Sequence, residues 1–312
     1  MLGWFPGHMN KARRQISEAL PEIDVVIEVL DARLPYSSAN PMLADLIRHK
    51  PSLKLLSRAD LADPAITQQW IEHFDALPDM RAMAVVTTDT RQLKPLYKLC
   101  HELAGHIRED RDVRVMVMGI PNVGKSTLIN TLAGKKIAKT GNEPAVTKRQ
   151  QKIRIGQRIA LTDTPGVLWP RIEDQNSAYR LAASGAIRDT ALEYVDVASV
   201  AALALAERYP EALKSRYRLD TLGDTGESIV REIATRRGGL RAGGEVDMHR
   251  GAEVLLMDLR GGKLGLMSLE TPADIPDEAG IEAMRAERER FNRGETFLDN
   301  GASPDDDTPP GQ

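Results

Sequence analysis

Gly119-Ile-Pro-Asn-Val-Gly124-Lys125-Ser126 is the stretch that decides the fold. It has the G-x-x-x-x-G-K-S spacing of a phosphate loop, and its flanks suit that reading. Val113–Met118 (VRVMVM) is an apolar run of strand length, and residues 127–133 (TLINTLA) read as a helix. A strand, a glycine-rich turn and a helix in this order aim a row of backbone N–H groups and a helix N-terminus at one point. In such a loop Lys125 reaches the β- and γ-phosphates and Ser126 ligates Mg²⁺. Pro121, Asn122, Val123, Gly124 and Thr127 line the same cradle.

A second nucleotide motif follows about forty residues later. The apolar run 158–162 (RIALT) ends in Asp163-Thr-Pro-Gly166. A carboxylate at such a strand end holds Mg²⁺ through water, and the Gly166 N–H meets the γ-phosphate until hydrolysis releases it. Thr147, in Pro-Ala-Val-Thr at 144–147, is spaced from Ser126 as a switch threonine that completes the Mg²⁺ shell. No guanine-reading N-K-x-D follows Gly166. The candidate lies upstream, in residues 53–63 (LKLLSRADLAD), where an apolar strand runs into Ser57-Arg58-Ala59-Asp60. The Asp60 carboxylate accepts from guanine N1–H and N2–H₂, a donor pair adenine lacks. Arg58 stands where Lys is usual and keeps a planar cation for the purine face. Ser57 stands where Asn is usual and has no amide to offer. Thr87 and Thr88, after the expected strand 82–86, form the next base-contacting segment. The order is guanine loop, phosphate loop, switch, D-x-x-G, that of a circularly permuted GTPase.

Other stretches are more particular: residues 3–12 (GWFPGHMNKA), 24–35 (DVVIEVLDARLP), 237–247 (RGGLRAGGEVD) and 262–272 (GKLGLMSLETP). With them the chain resembles the ribosome biogenesis GTPase A family over residues 3–272. That resemblance implies a GTP hydrolase that binds precursor large ribosomal subunits and their rRNA, promotes late assembly and leaves on hydrolysis. It also implies that Asn122 helps bind K⁺ near the phosphates and that His8 orients the attacking water. Val167 and Leu168, where several GTPases carry a water-orienting Gln, are apolar and cannot do so. The altered Ser57-Arg58 pair leaves an alternative open, an RNA-binding scaffold with little hydrolysis; Asp60 disfavours an ATPase.

A length of 312 residues allows about two domains. Apolar strands at 25–30, 53–56, 82–86, 113–118, 151–155 and 159–162 alternate with helices at 9–20, 41–50, 64–76 and 93–108. This predicts a doubly wound α/β GTPase sheet over residues 1–175. A small all-helical RNA- and ribosome-binding domain is expected at 176–272, with helices at 191–208, 227–237 and from an Asp247 cap to 260. Residues 273–312 read as a charged, disordered tail. The formal net charge is −3, yet residues 135–158 hold eight Lys and Arg against Glu143 alone. That run, with Arg231, Arg236, Arg237 and Arg241, is the expected phosphate-contacting surface. Only 4% of residues are aromatic, so base stacking is a poor basis for binding and folded rRNA, not DNA, is the expected partner. Cys100, the one cysteine, falls on an apolar helical stripe and excludes an internal disulfide. The longest apolar run, 195–206, contains Asp196 and is too short to span a bilayer. With no signal segment read at the start, a cytoplasmic protein with no membrane partner is expected.

Overall fold

The computed structural model describes residues 6–105, 107, 111–137, 152–156, 158–164, 172, 174–187, 193–241 and 243–277, with a few positions between 279 and 286. Among them six strands form one sheet, in the order β3-β2-β1-β4-β6-β5. The strands are β1 (Val25–Asp31), β2 (Ser52–Ser57), β3 (Met80–Ala84), β4 (Val113–Met118), β5 (Lys152–Ile155) and β6 (Ile159–Asp163). All pairings are parallel except β5 with β6. All seven residues of β1 are buried, as the central strand of a sheet covered on both faces requires. Val25, Ile27 and Val29 enter one apolar cluster, while Val26 and Leu30 enter two smaller ones on the other face. Between those smaller clusters the buried cross-strand pair Glu28 and Lys54 joins β1 to β2 in register.

Helices cover both faces. On one side are α1 (Pro6–Ala19), the short α2 (Pro35–Ser38), α3 (Pro41–Ile47) and α4 (Pro64–Asp75), whose Trp70 and Phe74 stack at 5.6 Å. On the other are α5 (Lys94–Leu103) and α6 (Lys125–Ala133), which bury Leu96, Cys100, Leu128 and Ile129. Burial pushes the Cys100 thiol up to about 12, so it is an inert core group. The chain then runs through helices: α7 (Gln175–Ser184), α8 (Tyr194–Arg208), α9 (Pro210–Tyr217), α10 (Gly226–Arg236) and α11 (Met248–Arg260). Asp247 caps α11 by accepting from the Arg250 N–H, and Thr225 with Ser228 boxes the start of α10. Pro210 ends the α8 pattern but also opens α9, because proline suits the first helical position. Leu181, Val197, Leu205, Ile229 and Leu255 join the same apolar cluster as the sheet, and Met1–Ile275 form one compact unit.

The expected strand 82–86 lies two residues earlier, at Met80–Ala84. Val85 still bonds Leu56 O at 2.8 Å, but the Val86 N–H turns away to the Gln92 side chain. No described helix is long and apolar enough to cross a membrane. Residues 138–151 and 165–171, which hold Lys139, Lys148 and Arg149 of the basic run and the switch segment, lie outside the described residues.

After α11 the chain crosses back over the sheet as a strap. Met267 N–H bonds Leu61 O at 2.9 Å, Leu269 N–H bonds Arg33 O at 2.7 Å, and Trp70 Nε1–H donates to Glu270 O at 3.3 Å. The Glu270 carboxylate is fully buried, accepting from Ser37 N–H at 2.9 Å, from Ser37 Oγ and from Arg180 at 3.2 Å. Burial outweighs these partners and lifts its pKa from 4.5 to about 7. The fold therefore holds a proton that the unfolded chain releases, and this contribution fades as pH rises from 4.5 to about 7. Unfolding of the parent and of Glu270→Gln across pH 4–8.5 should show the parent losing stability relative to the variant in that window, by a few kcal/mol. The difference should be flat on either side.

Candidate nucleotide site

The sheet's strand order reverses between β1 and β4, and in such sheets ligands bind outside the carboxyl ends of the strands. Residues 119–126 leave β4 at that point. Gly119 has φ +144°, and a Cβ on it would lie 2.5 Å from Val29 O, so no other residue fits without moving β1. Asn122 (φ 62°) and Gly124 (φ 97°) also take left-handed conformations, turning the loop's amides inward ahead of the α6 N-terminus. The Lys125 ammonium is buried and folds back over the loop to Ile120 O at 2.5 Å. Ser126 and Thr127 follow in the first turn of α6, half-buried.

The upstream loop meets this cradle through its two unusual residues. Ser57, fully buried at the end of β2, has its hydroxyl 2.8 Å from Leu30 O and 2.7 Å from Val123 O. Arg58, at φ 56°, donates from one terminal nitrogen to Asn122 O at 2.6 Å and sets the other 3.4 Å from the Asp31 carboxylate. Arg58 is thus a brace from the base loop to the phosphate-loop backbone. Asp60 follows at an exposed position. Thr87 completes the contact, its side chain 3.5 Å from where a Cβ on Gly124 would stand; Thr88 beside it is exposed.

Asp31 went unassigned in the sequence reading. It ends β1, is almost fully buried, and accepts from Arg33 Nε at 3.0 Å and a terminal nitrogen at 2.7 Å. Burial pulls its carboxyl upward, but Arg33 and then Arg58 outweigh that and hold it below the ordinary range. The only cue in sequence is an acid at a strand end two residues before an arginine. Likewise unforeseen is the strap's grip on the base loop. Ser268 Oγ accepts from Asp63 N–H at 3.2 Å, and Tyr209 OH bridges Asp63 Oδ2 and Ser268 N–H, each at 3.1 Å.

The switch side is placed by its backbone. Asp163 ends β6 opposite Val117, and Thr164 Oγ1 donates to Val117 O at 2.8 Å, so this strand end lies beside the phosphate loop. The Asp163 side chain, Thr147 and Gly166 lie outside the described residues. His8 is in the first turn of α1, and its side chain also lies outside them.

A phosphate loop on β4, a base loop on the earlier strand β2 and a D-x-x-G strand end on β6 define a circularly permuted P-loop GTPase. The comparisons extend this. Residues 114–219 match the family described as 50S ribosome-binding GTPase. Ribosome biogenesis GTPase A of Bacillus cereus is 46% identical over 287 residues, 89% of this chain and 96% of that one. The Thermotoga maritima protein of that name is 30% identical over 274 residues, covering 88% and 96%. Among solved structures, GDP-bound YlqF matches with a TM-score of 0.60 at 25% identity, covering 84% of this chain and all of that one. GNP-bound YlqF from T. maritima matches with a TM-score of 0.58 at 26% identity, covering 85% of this chain and 100% of that one. The chain belongs to the ribosome biogenesis GTPase A family, and membership makes it a GTP hydrolase.

Arg58→Ala should weaken guanine-nucleotide binding about tenfold, on the scale of one charge-assisted hydrogen bond, without unfolding the protein. Ser57→Ala should cost about 1 kcal/mol of stability by removing the one hydroxyl proton that lies between Leu30 O and Val123 O. Titration with a fluorescent GDP and denaturant unfolding check the two; unchanged affinity in Arg58→Ala would show that the brace carries no binding.

Proposed function

We propose that the chain binds precursor large ribosomal subunits in its GTP state, promotes their late assembly in the cytoplasm, and leaves when GTP is hydrolysed. The observation that carries this is the joining of Ser57 and Arg58 to Val123 and Asn122, in a family whose matched description names 50S ribosome binding. Asp60 then reads the guanine edge, with Thr87 and Thr88 beside the base. Pro121, Asn122, Val123, Gly124 and Thr127 wrap the phosphates while Lys125 reaches the β- and γ-oxygens.

Ser126 lies in the first turn of α6 and β6 ends beside the phosphate loop, and hydroxyl and carboxylate oxygens are the residue types that suit Mg²⁺. Ser126 and Thr147 would hold the ion directly and Asp163 through water; bound there, it neutralises phosphate charge. Asn122 would offer an oxygen to K⁺. Gly166 N–H would hold the γ-phosphate, and His8 would accept a hydrogen bond from the attacking water.

Two connections can relay nucleotide state to a helical domain at 176–272: the segment from Thr164 to α7, and the strap that holds Leu61 and Asp63. The basic run 135–158, with Arg236 and Arg237, would contact rRNA, and the tail 273–312 would stay outside the site.

GTP turnover should be stimulated by large subunits, and ATP should not be turned over comparably. Lys125→Ala should abolish turnover. His8→Ala should lose most of the stimulated rate with little change in GTP binding. Asp60→Asn should shift preference from GTP toward xanthosine triphosphate. Subunit-stimulated turnover that survives in His8→Ala would remove this residue from the mechanism, and turnover indifferent to subunits would favour the scaffold reading.

A further inference from the structure

Guanine presents two hydrogen-bonding edges to a protein. One carries the N1–H and N2–H₂ donors; the other carries N7 and O6, which only accept. An ionised carboxylate has no proton to give, so Asp60 can serve the first edge alone. Reading N7 takes a side chain with an N–H or O–H to spare.

Ser57 has none. Its hydroxyl carries a single proton and lies 2.8 Å from Leu30 O and 2.7 Å from Val123 O. Both neighbours only accept. Turning the proton toward a third acceptor would leave the Ser57 oxygen facing two carbonyls with no hydrogen between them. The residue is 0% exposed, so a base reaches this oxygen only if β2 parts from the phosphate loop.

Arg58 is committed in a different way. One terminal nitrogen donates to Asn122 O at 2.6 Å and the other stands 3.4 Å from the Asp31 carboxylate. The flat face of the guanidinium suits stacking on a purine. A group stacked on a ring cannot also donate in the ring plane to one of its edge atoms. Stacking is nearly indifferent to whether ring position 7 is nitrogen or carbon, since either ring offers a π-face. Two amides of the loop are engaged as well: Ala59 N–H bonds Val85 O at 3.3 Å and Leu61 N–H bonds Arg58 O at 2.9 Å. Thr87 turns its methyl and hydroxyl alike toward Gly124, each 3.5 Å from where a Cβ there would stand.

We infer that the site reads guanine through its N1–N2 edge and one stacked face and leaves N7 unread, with Ser57 as the residue that sets this. The nucleotides it takes are therefore guanosine di- and triphosphates with or without nitrogen at ring position 7, the 7-deazaguanosine nucleotides included. This rests on the assignment of Asp60 to the guanine edge made above.

The test is displacement of a fluorescent GDP from the full chain by GDP, 7-deaza-GDP, inosine diphosphate and ADP. Parent affinities for GDP and 7-deaza-GDP should agree within about twofold, whereas inosine diphosphate, which lacks the N2 amino group, and ADP should bind about tenfold more weakly or worse. Ser57→Ala should leave the ratio of 7-deaza-GDP to GDP affinity where it is. Ser57→Asn, which puts an amide N–H at this position, should make 7-deaza-GDP about fivefold weaker than GDP, the worth of one neutral hydrogen bond. Melting temperature shows whether the larger side chain is accommodated, and the parent and Ser57→Ala ratios decide the matter if it is not. A parent that binds 7-deaza-GDP about fivefold or more weakly than GDP would overturn the inference, and loss of that preference in Ser57→Ala or Thr87→Val would name the group that reads N7. A ratio near one in a folded Ser57→Asn would overturn the role given to position 57. Inosine diphosphate and ADP binding as tightly as GDP would instead refute the assignment of Asp60, whatever the 7-deaza result.

Discussion

Two main-chain carbonyls of the phosphate loop, Val123 O and Asn122 O, are held by side chains from a loop 66 and 64 residues earlier. The permuted order makes this contact the constraint on which the site depends. The base loop enters the chain before the phosphate loop, and the sheet brings them together by placing β2 on one side of β1 and β4 on the other. A buried and a part-buried hydrogen bond then fix the distance between them. Each is worth about 1 kcal/mol net, and more where the donor is charged, but an unmatched buried partner costs as much or more, so the pair sets geometry more than stability.

This arrangement changes how Ser57 and Arg58 are to be understood. As letters they are departures from Asn and Lys. In space, Ser57 is a short hydroxyl in a fully buried position where it meets two carbonyls, and Arg58 is long enough to span from Asn122 O to Asp31. Asp31 must stay ionised to hold that arm, and Arg33 keeps it so. The four residues form one support under the nucleotide cradle, with two guanidinium groups around a single carboxylate. The strap adds a second, since Met267 and Ser268 fix Leu61 and Asp63 just beyond Asp60.

Much of this was legible in sequence. The phosphate loop was, because left-handed turns and close backbone approach demand glycine at fixed spacing, as Gly119 and Gly124 show. The strands were, because parallel strands buried on both faces read as apolar runs, as β1 and β4 do. Helix ends were placed less well: α3 stops at Ile47 rather than near 50, and α9 was hidden because Pro210 reads equally as a stop and a start. The Asp31–Arg58 support and the strap were not legible. Both are tertiary contacts between residues distant in the chain, and the strap's turns have no hydrophobic period to reveal them. The functional letters of residues 3–12 and 144–147 were legible as motifs, but their side chains fall outside the described residues.

The central claim is that base loop, phosphate loop and strap respond to nucleotide as one body. Amide hydrogen exchange, with and without a non-hydrolysable GTP analogue, tests it most directly. The account expects slowed exchange at residues 119–128 together with residues 57–61, and at the Met267 amide that bonds Leu61 O. Protection confined to residues 119–128, with the base loop and the strap exchanging as before, would contradict it.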